Sequence, residues 1–243
     1  MTSRGKLIVI DAIDGAGKTT AIKAVVDHLG SQGKRTFDLV AWSKSHHALP
    51  DVDEPELMAA DVMLSAEPTH TWVGAAVREE LMRQHANRVN DGFIVAEGYS
   101  LDRYVLFTRV ILPFLTDRPD RWVIQDRGVV TTLAYQPVQD ERITVDWLST
   151  LSGNRLELAN PPDALILLRI MPEEAFARLA KRTDKQDNDI YSSNDFQARV
   201  ATRYRSDEVL APFRQAGTKI VEIDASRSPE EVSRAIIAFI QTL

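Results

Sequence analysis

The chain has 243 residues, a formal net charge of −6 and no cysteine, a length and composition that suit one α/β domain over residues 1–243 with a sizeable core. Its acidic balance, with a pI near 5.4, argues against nucleic acid as a main partner but leaves room for a nucleotide, which needs only a few local cations. Without thiols, disulfides and cysteine-held metals are excluded, which fits a reducing cytoplasm; no leader-like stretch opens the sequence and no apolar run is long enough to span a bilayer, so no membrane partner is expected.

The first element is an apolar strand at residues 7–10. It runs into "DAIDGAGKTT", close to the phosphate-loop pattern G-x-x-x-x-G-K-[ST]. Gly17, Lys18 and Thr19 fit, and Ala12 stands where the first glycine is usual. An alanine adds only a methyl group and is tolerated if its φ stays below zero. The triplet lies where a strand meets an amphipathic helix, and helix N-terminal amides bind anions. Gly15 and Gly17 let the backbone approach phosphate oxygens. Lys18 can reach the β and γ phosphates, and the Thr19 hydroxyl can ligate Mg²⁺. The bland alternative is a glycine-rich helix start with no ligand. The helix itself carries apolar residues at Ile22, Val25, Val26 and Leu29, with Gly30 and Gly33 as its stop.

A second strand is expected at residues 36–40. Residues 43–60 are polar, carry two prolines and read as an inserted loop or short helix; His46 and His47 lie there without a matching set of metal ligands. "EPTHTWVGAAVREEL" follows at 67–81. Tyr99 and Arg103, four apart, share one helix face, suited to stacking on a base and binding a phosphate or base carbonyl; a half-buried tyrosine on an amphipathic helix would look the same. The apolar strand at 122–125 ends in Asp126 and Arg127, at the sheet edge where α/β ligands bind. There an acid can hold Mg²⁺ or its water, and an arginine can grip phosphate with two hydrogen bonds. Further strands are expected at 164–170 and 218–223, and a last helix begins with Ser228 as N-cap and Pro229 in the first turn. Strands without strict alternation, separated by helices, predict a three-layer, doubly wound α/β fold with about five parallel strands.

In this order the stretches resemble the thymidylate kinase family over nearly the whole chain. "IDGAGKTT" is similar to its phosphate loop, and Glu67-Pro68 with Thr71 and Arg78 to its E-P-x-x-T…R segment. Tyr99 and Arg103 fall where the family has an aromatic residue and an arginine. Asp126-Arg127 with Ala134-Tyr135-Gln136 is similar to its D-R…A-Y-Q signature. The resemblance implies a mobile lid at about 181–194, a homodimer, and transfer of the γ-phosphate of ATP to dTMP. ATP would be held by Asp14, Gly15, Ala16, Gly17, Lys18, Thr19 and Thr20, and Mg²⁺ by Thr19 and Asp126. Asp14 would also contact the deoxyribose 3′-hydroxyl, and Tyr99 would stack on thymine. Arg103 would bind near the acceptor phosphate and the base, and Arg127 would hold the acceptor phosphate. Thr131 and Thr132 would lie near the base, Tyr135 would crowd the sugar 2′ position, and Glu67 and Arg78 would complete the acceptor site.

The attacking phosphate oxygen is already ionised, so catalysis would rest on alignment and on positive charge from Lys18, Mg²⁺, Arg127 and a lid cation. In one branch of the family the loop itself supplies a basic residue where this chain has Gly15. The lid offers Lys181, Arg182 and Lys185, and Arg182 is favoured for its planar fork. The sequence departs from the family at Ala12, at Gly128, where an aromatic residue or histidine is common, at Arg169 and at Asn188. Three rivals stand beside this reading: a kinase of another deoxynucleoside monophosphate; a deoxynucleoside kinase, which would need a carboxylate base at its 5′-hydroxyl; and a nucleotide-binding regulator without catalysis. A helix–helix interface between copies could use the apolar residues 106–115, which would equally suit a core helix.

Overall fold

A computed structural model describes residues 4–84, 89–181 and 190–243. Six strands, β1 (Lys6–Asp11), β2 (Thr36–Asp38), β3 (Val62–Ala66), β4 (Trp122–Asp126), β5 (Ala164–Arg169) and β6 (Lys219–Asp224), form one parallel sheet in the order β2-β3-β4-β1-β5-β6. β1 is central: Ile8 lies opposite Ile124 on one side and Ala164 on the other. Leu7 through Ile10 are enclosed, as is expected of parallel strands covered by helices on both faces. The expected three-layer α/β architecture is present, with one strand more than the apolar runs suggested. That strand is β3, "VMLSA", five residues directly before Glu67-Pro68.

α1 (Lys18–Ser31) passes through Gly30 and stops before Gly33, which has a φ of 82°. β2 is shorter than expected because Asp38 accepts the Ala41 amide at 2.8 Å and so caps α2 (Leu39–His46). The inserted segment is therefore partly helical, with α2 followed by α3 (Pro55–Ala59), and it contributes Leu49, Leu57 and Ala60 to the core. His46 stacks on Trp42 with ring centres 4.1 Å apart. α4 (Trp72–Ala76) continues into a wide π-type turn, Val77–Leu81, that carries Arg78. Such turns widen a helix locally and recur at functional sites. α5 (Gly92–Leu106) runs through a similar turn, Phe107–Ile111, into α6 (Leu112–Asp117). Residues Leu106, Phe107, Val110, Ile111, Phe114 and Leu115 are all in the core, so these apolar side chains of the stretch 106–115 are turned inward, while Thr108 and Arg109 are exposed.

α7 (Val129–Gln139) leaves the end of β4. α8 (Val145–Thr150) and α9 (Ser152–Ala159) then pack back on α5. After β5 come α10 (Pro172–Ala180), α11 (Asn194–Arg203) and α12 (Asp207–Gln215). Ser228 opens α13 (Pro229–Ile240) with a reciprocal capping box to Glu231, the start expected from the sequence. The carboxyl ends of β1, β3, β4 and β5 thus face one edge, and the candidate site lies there.

Candidate active site

The loop between β1 and α1 is shaped by two left-handed glycines, Gly15 at φ 82° and Gly17 at φ 90°. Ala12 is buried and is not among the non-glycine residues of positive φ, so the alanine imposes no backbone strain. Gly15 could not be anything larger. A Cβ there would lie 2.3 Å from the Ala175 carbonyl of α10, which leans on the loop. That contact gives a physical reason for a loop with no basic side chain at position 15. Lys18 is folded back, its Nζ donating to the carbonyls of Ala12 at 3.0 Å and Ile13 at 3.3 Å. It sits 3.8 Å from Asp14 Oδ1. Burial and the nearby Arg127 charge hold the Lys18 ammonium below its ordinary range. Thr19 and Thr20 are exposed. With Asp14, Gly15, Ala16, Gly17 and Lys18 they line an open cavity of about 740 Å³, which Arg178 and Arg227 also line.

At the end of β4, Asp126 and Arg127 diverge. Asp126 Oδ1 is buried and has no hydrogen-bond partner among the described residues. Arg127 has a φ of 67°, left-handed and unusual for a residue with a long side chain. This turn swings its guanidinium over the Tyr135 ring, 5.3 Å from the ring centre. One nitrogen donates to Asp14 Oδ1, and the other lies 3.6 Å from Asp11 Oδ1. Asp11, fully buried at the end of β1, also accepts hydrogen bonds from Thr131 and, at 2.8 Å, from Tyr204. Burial pushes its carboxyl up, and Arg127 and Lys18 oppose that.

A second, tighter cavity of about 120 Å³ adjoins the first. Asp14, Glu67, Arg78 and Arg127 line both. The second is closed off by Tyr99, Arg103, Thr131, Thr132 and Tyr135, so the predicted acceptor residues do converge on one space. Arg103, however, is spoken for. It is 1 % exposed and pairs with Glu67 at 2.5 Å and, through Nε, with Glu157 at 2.8 Å. It also donates to Asn154 and, at 3.2 Å, to Thr132. Burial pushes both Glu67 and Glu157 up, and Arg103 pulls them back. A guanidinium has five donors, and most of these are already committed. Arg103 is therefore fitted to touch one acceptor atom rather than to fork onto a phosphate.

Arg78 is different. Its nitrogens donate to the carbonyls of Pro68, with Nε at 2.7 Å, and Thr69 at 3.0 Å. Burial holds its guanidinium below the ordinary range. Among the described residues its hydrogen bonds go to neutral carbonyls, at the junction of the two cavities, and the carboxylates of Asp102 and Asp126 act on it only through space. The segment that carries it is stapled to α5: Asp102 accepts the Thr69 amide at 2.7 Å and the Thr69 hydroxyl at 2.6 Å. Tyr99, one turn before Arg103, packs with Val77 and Val95 and presents its ring to the cavity.

Several residues of the site gave no signal in the sequence. Glu157 and Asn154 look like ordinary positions of an amphipathic helix. Tyr191, Gln197 and Tyr204 come from around α11. The Tyr191 hydroxyl accepts from Gln136 at 3.0 Å, and Gln197 donates to Asp14 at 3.2 Å. Asp11 did have a signal, a carboxylate ending an otherwise apolar strand. Arg169 is exposed at the end of β5 and lines neither cavity. Arg182, Lys185 and Asn188 lie outside the described residues.

The comparisons with known proteins agree with this geometry. The family model "Thymidylate kinase" matches residues 55–236. The chain is 29% identical to a thymidylate kinase of Chlorobaculum parvum over 248 residues, covering 98% of this chain and 96% of that one. It is 30% identical to a thymidylate kinase of Parasynechococcus marenigrum over 234 residues, covering 96% and 95%. It is also 30% identical to one of Legionella pneumophila strain Paris over 237 residues, covering 98% and 94%. By its fold, by the residues gathered at its sheet edge and by this match, the chain belongs to the thymidylate kinase family.

Proposed function

We propose that the protein phosphorylates dTMP to dTDP at the expense of ATP. The observation that carries this reading is the pair of cavities joined at Asp14, Glu67, Arg78 and Arg127, one lined by the phosphate loop and the other closed by Tyr99. ATP would occupy the loop side, held by residues 14–20, and the monophosphate the Tyr99 side. An oxygen of the acceptor phosphate then attacks the γ-phosphorus, and the bond to the β–γ bridging oxygen breaks, giving ADP. The attacking oxygen is already ionised, so no proton has to be removed. Lys18, whose ammonium is held by the loop carbonyls of Ala12 and Ile13 and lies near Asp14, would turn to the β and γ phosphates. Arg78 and Arg127 would grip the acceptor phosphate, with Arg103 facing the base, Thr131 and Thr132 beside it, Tyr135 against the sugar and Asp14 at its 3′-hydroxyl.

Thr19 and Asp126 fit a magnesium site of the kind that takes one or two protein oxygens and completes its shell with phosphates and water. The orphaned, buried Asp126 Oδ1 supports that fit. Among the described residues no cluster of three or more His, Asp or Glu could hold a metal without the nucleotide. When bound, Mg²⁺ would neutralise charge on the transferring phosphoryl group. The lid segment, with Arg182 as the cation closing over the γ-phosphate, belongs to the same reading, as does a single catalytic domain working in the cytoplasm. No helix among the described residues is long and apolar enough to cross a membrane. A homodimer also belongs to it. Ile94, Leu101 and Tyr104 form an exposed apolar stripe along α5, beside the half-exposed Trp72.

The test is turnover of purified protein with ATP and Mg²⁺ on dTMP, dUMP, dCMP, dGMP, thymidine and UMP. dTMP should be the best acceptor. Preference for thymidine would point to a nucleoside kinase, and no turnover on any member would leave only a nucleotide-binding protein.

A further inference from the structure

Gly128 stands between the phosphate-gripping Arg127 and the first residue of α7, and it lines the acceptor cavity. Its backbone is extended, with φ −169° and ψ −161°, so conformation does not demand a glycine. Space does. A Cβ at 128 would lie 2.6 Å from Glu157 Oε1. That oxygen belongs to a side chain 1 % exposed and has no hydrogen-bond partner among the described residues. Its twin, Oε2, accepts the Val129 amide at 2.8 Å and lies 2.8 Å from Arg103 Nε. Glu157 therefore cannot swing aside without releasing both. α7 has no N-cap side chain of its own, because its N-cap residue is Gly128. A carboxylate from α9 fills that role and faces the positive end of the helix. The same helix carries Thr131, Thr132 and Tyr135, and the same carboxylate fixes the outer edge of Arg103.

We propose that Gly128 and Glu157 are a matched pair: the missing side chain at 128 makes room for a carboxylate that caps α7 and locks Arg103, so Glu157 is a positioning residue for the acceptor. The proposal rests on the reading that this cavity takes the monophosphate. It accounts for a departure from the family pattern that the phosphoryl transfer itself does not use. A larger residue at 128 and the Glu157 carboxylate in its present place compete for the same space.

The experiment is a set of variants: Gly128→Ala, Glu157→Gln, Glu157→Asp, and Gly128→Ala combined with Glu157→Asp. Each is read by KM for dTMP, KM for ATP, kcat and melting temperature. Gly128→Ala should raise KM for dTMP about 10-fold and leave KM for ATP within about twofold. Glu157→Gln keeps a capping oxygen but not the charge. It should also raise KM for dTMP several-fold, with little change in melting temperature. Aspartate is one methylene shorter and withdraws from the added methyl group. The double variant should therefore bind dTMP better than Gly128→Ala alone. Independent losses at the two positions, or equal rises in both KM values, would overturn the proposal. Should the wild-type protein not use dTMP at all, the acceptor reading falls by itself. The melting temperatures then decide the pairing alone: rescue of Gly128→Ala by Glu157→Asp supports it, and additive losses reject it.

Discussion

Arg127 shows how one residue gathers several effects. Its left-handed backbone, its place on Tyr135 and its carboxylate partners Asp14 and Asp11 all hold the guanidinium at the seam between the cavities. Arg127→Ala should lower kcat/KM for the acceptor about 100-fold, the worth of roughly 3 kcal/mol of charged hydrogen bonding, while ATP binding measured by calorimetry stays close to wild type. Arg78→Met should do nearly as much to the KM for dTMP, because among the described residues its guanidinium is held by the neutral carbonyls of Pro68 and Thr69. His70 offers a test by pH. Burial, then Arg78 and Lys44, hold its imidazole down at about 4. The neutral form is favoured in the fold, so the stabilisation is present above the ordinary histidine range. It is lost as pH falls from about 6.5 towards 4, where the unfolded chain binds the extra proton. Replacing His70 by Asn should flatten the dependence of urea stability on pH across that window. An unchanged slope would place the effect elsewhere. At this scale the sequence was most legible where a charged or aromatic side chain interrupts an apolar pattern, as at Lys18, Asp126, Arg127 and Tyr99. It was least legible for the carboxylates that neutralise those charges. Nothing about Glu157 in a helix of mixed polarity announces that Arg103 will be buried against it. Arg103 accordingly reads from the sequence as a group for a phosphate or a base carbonyl, with no sign that most of its donors are already paired.

Elements make the site by close approach. α5 and α9 touch at Gly153, where a Cβ would lie 1.8 Å from the Ser100 carbonyl. α4 meets the 67–71 segment at Gly74, where a Cβ would lie 2.3 Å from Thr69 Oγ1 and 2.6 Å from Asp102 Oδ1. Overpacking of this kind typically costs about 1–3 kcal/mol. Gly153→Ala should lower the urea unfolding free energy by about 3 kcal/mol. Gly74→Ala should cost less stability but should raise KM for dTMP, since it pushes on the segment that carries Glu67 and Arg78. Equal stability losses with unchanged KM in Gly74→Ala would mean that the segment is not held by this contact. Helices with a clear period and cap, α1 and α13 above all, could be read from sequence. β3 could not, because five residues with a buried serine in their midst resemble the end of the insertion more than a strand. The register that places Ala66 opposite Asp126 is a tertiary fact with no local signature.

For the whole molecule, the acidic surface and the exposed stripe on α5 bear on association. Leu101→Glu should shift the sedimentation of a dimer to that of a monomer; unchanged sedimentation would move the interface elsewhere. The doubly wound architecture was legible because runs of buried strands alternate with helical patterns, whereas the order of strands in the sheet was not. That order has a consequence for how the protein is made. β1 is the first strand to leave the ribosome, yet Ile8 finds its neighbours only in Ile124 and Ala164. Until those residues have been synthesised, an unpaired apolar segment waits in the nascent chain. Such distant pairings slow folding and prolong exposure to aggregation. Fragments ending before β5 should therefore collapse without acquiring affinity for nucleotide, and chaperone dependence should concentrate in the second half of translation.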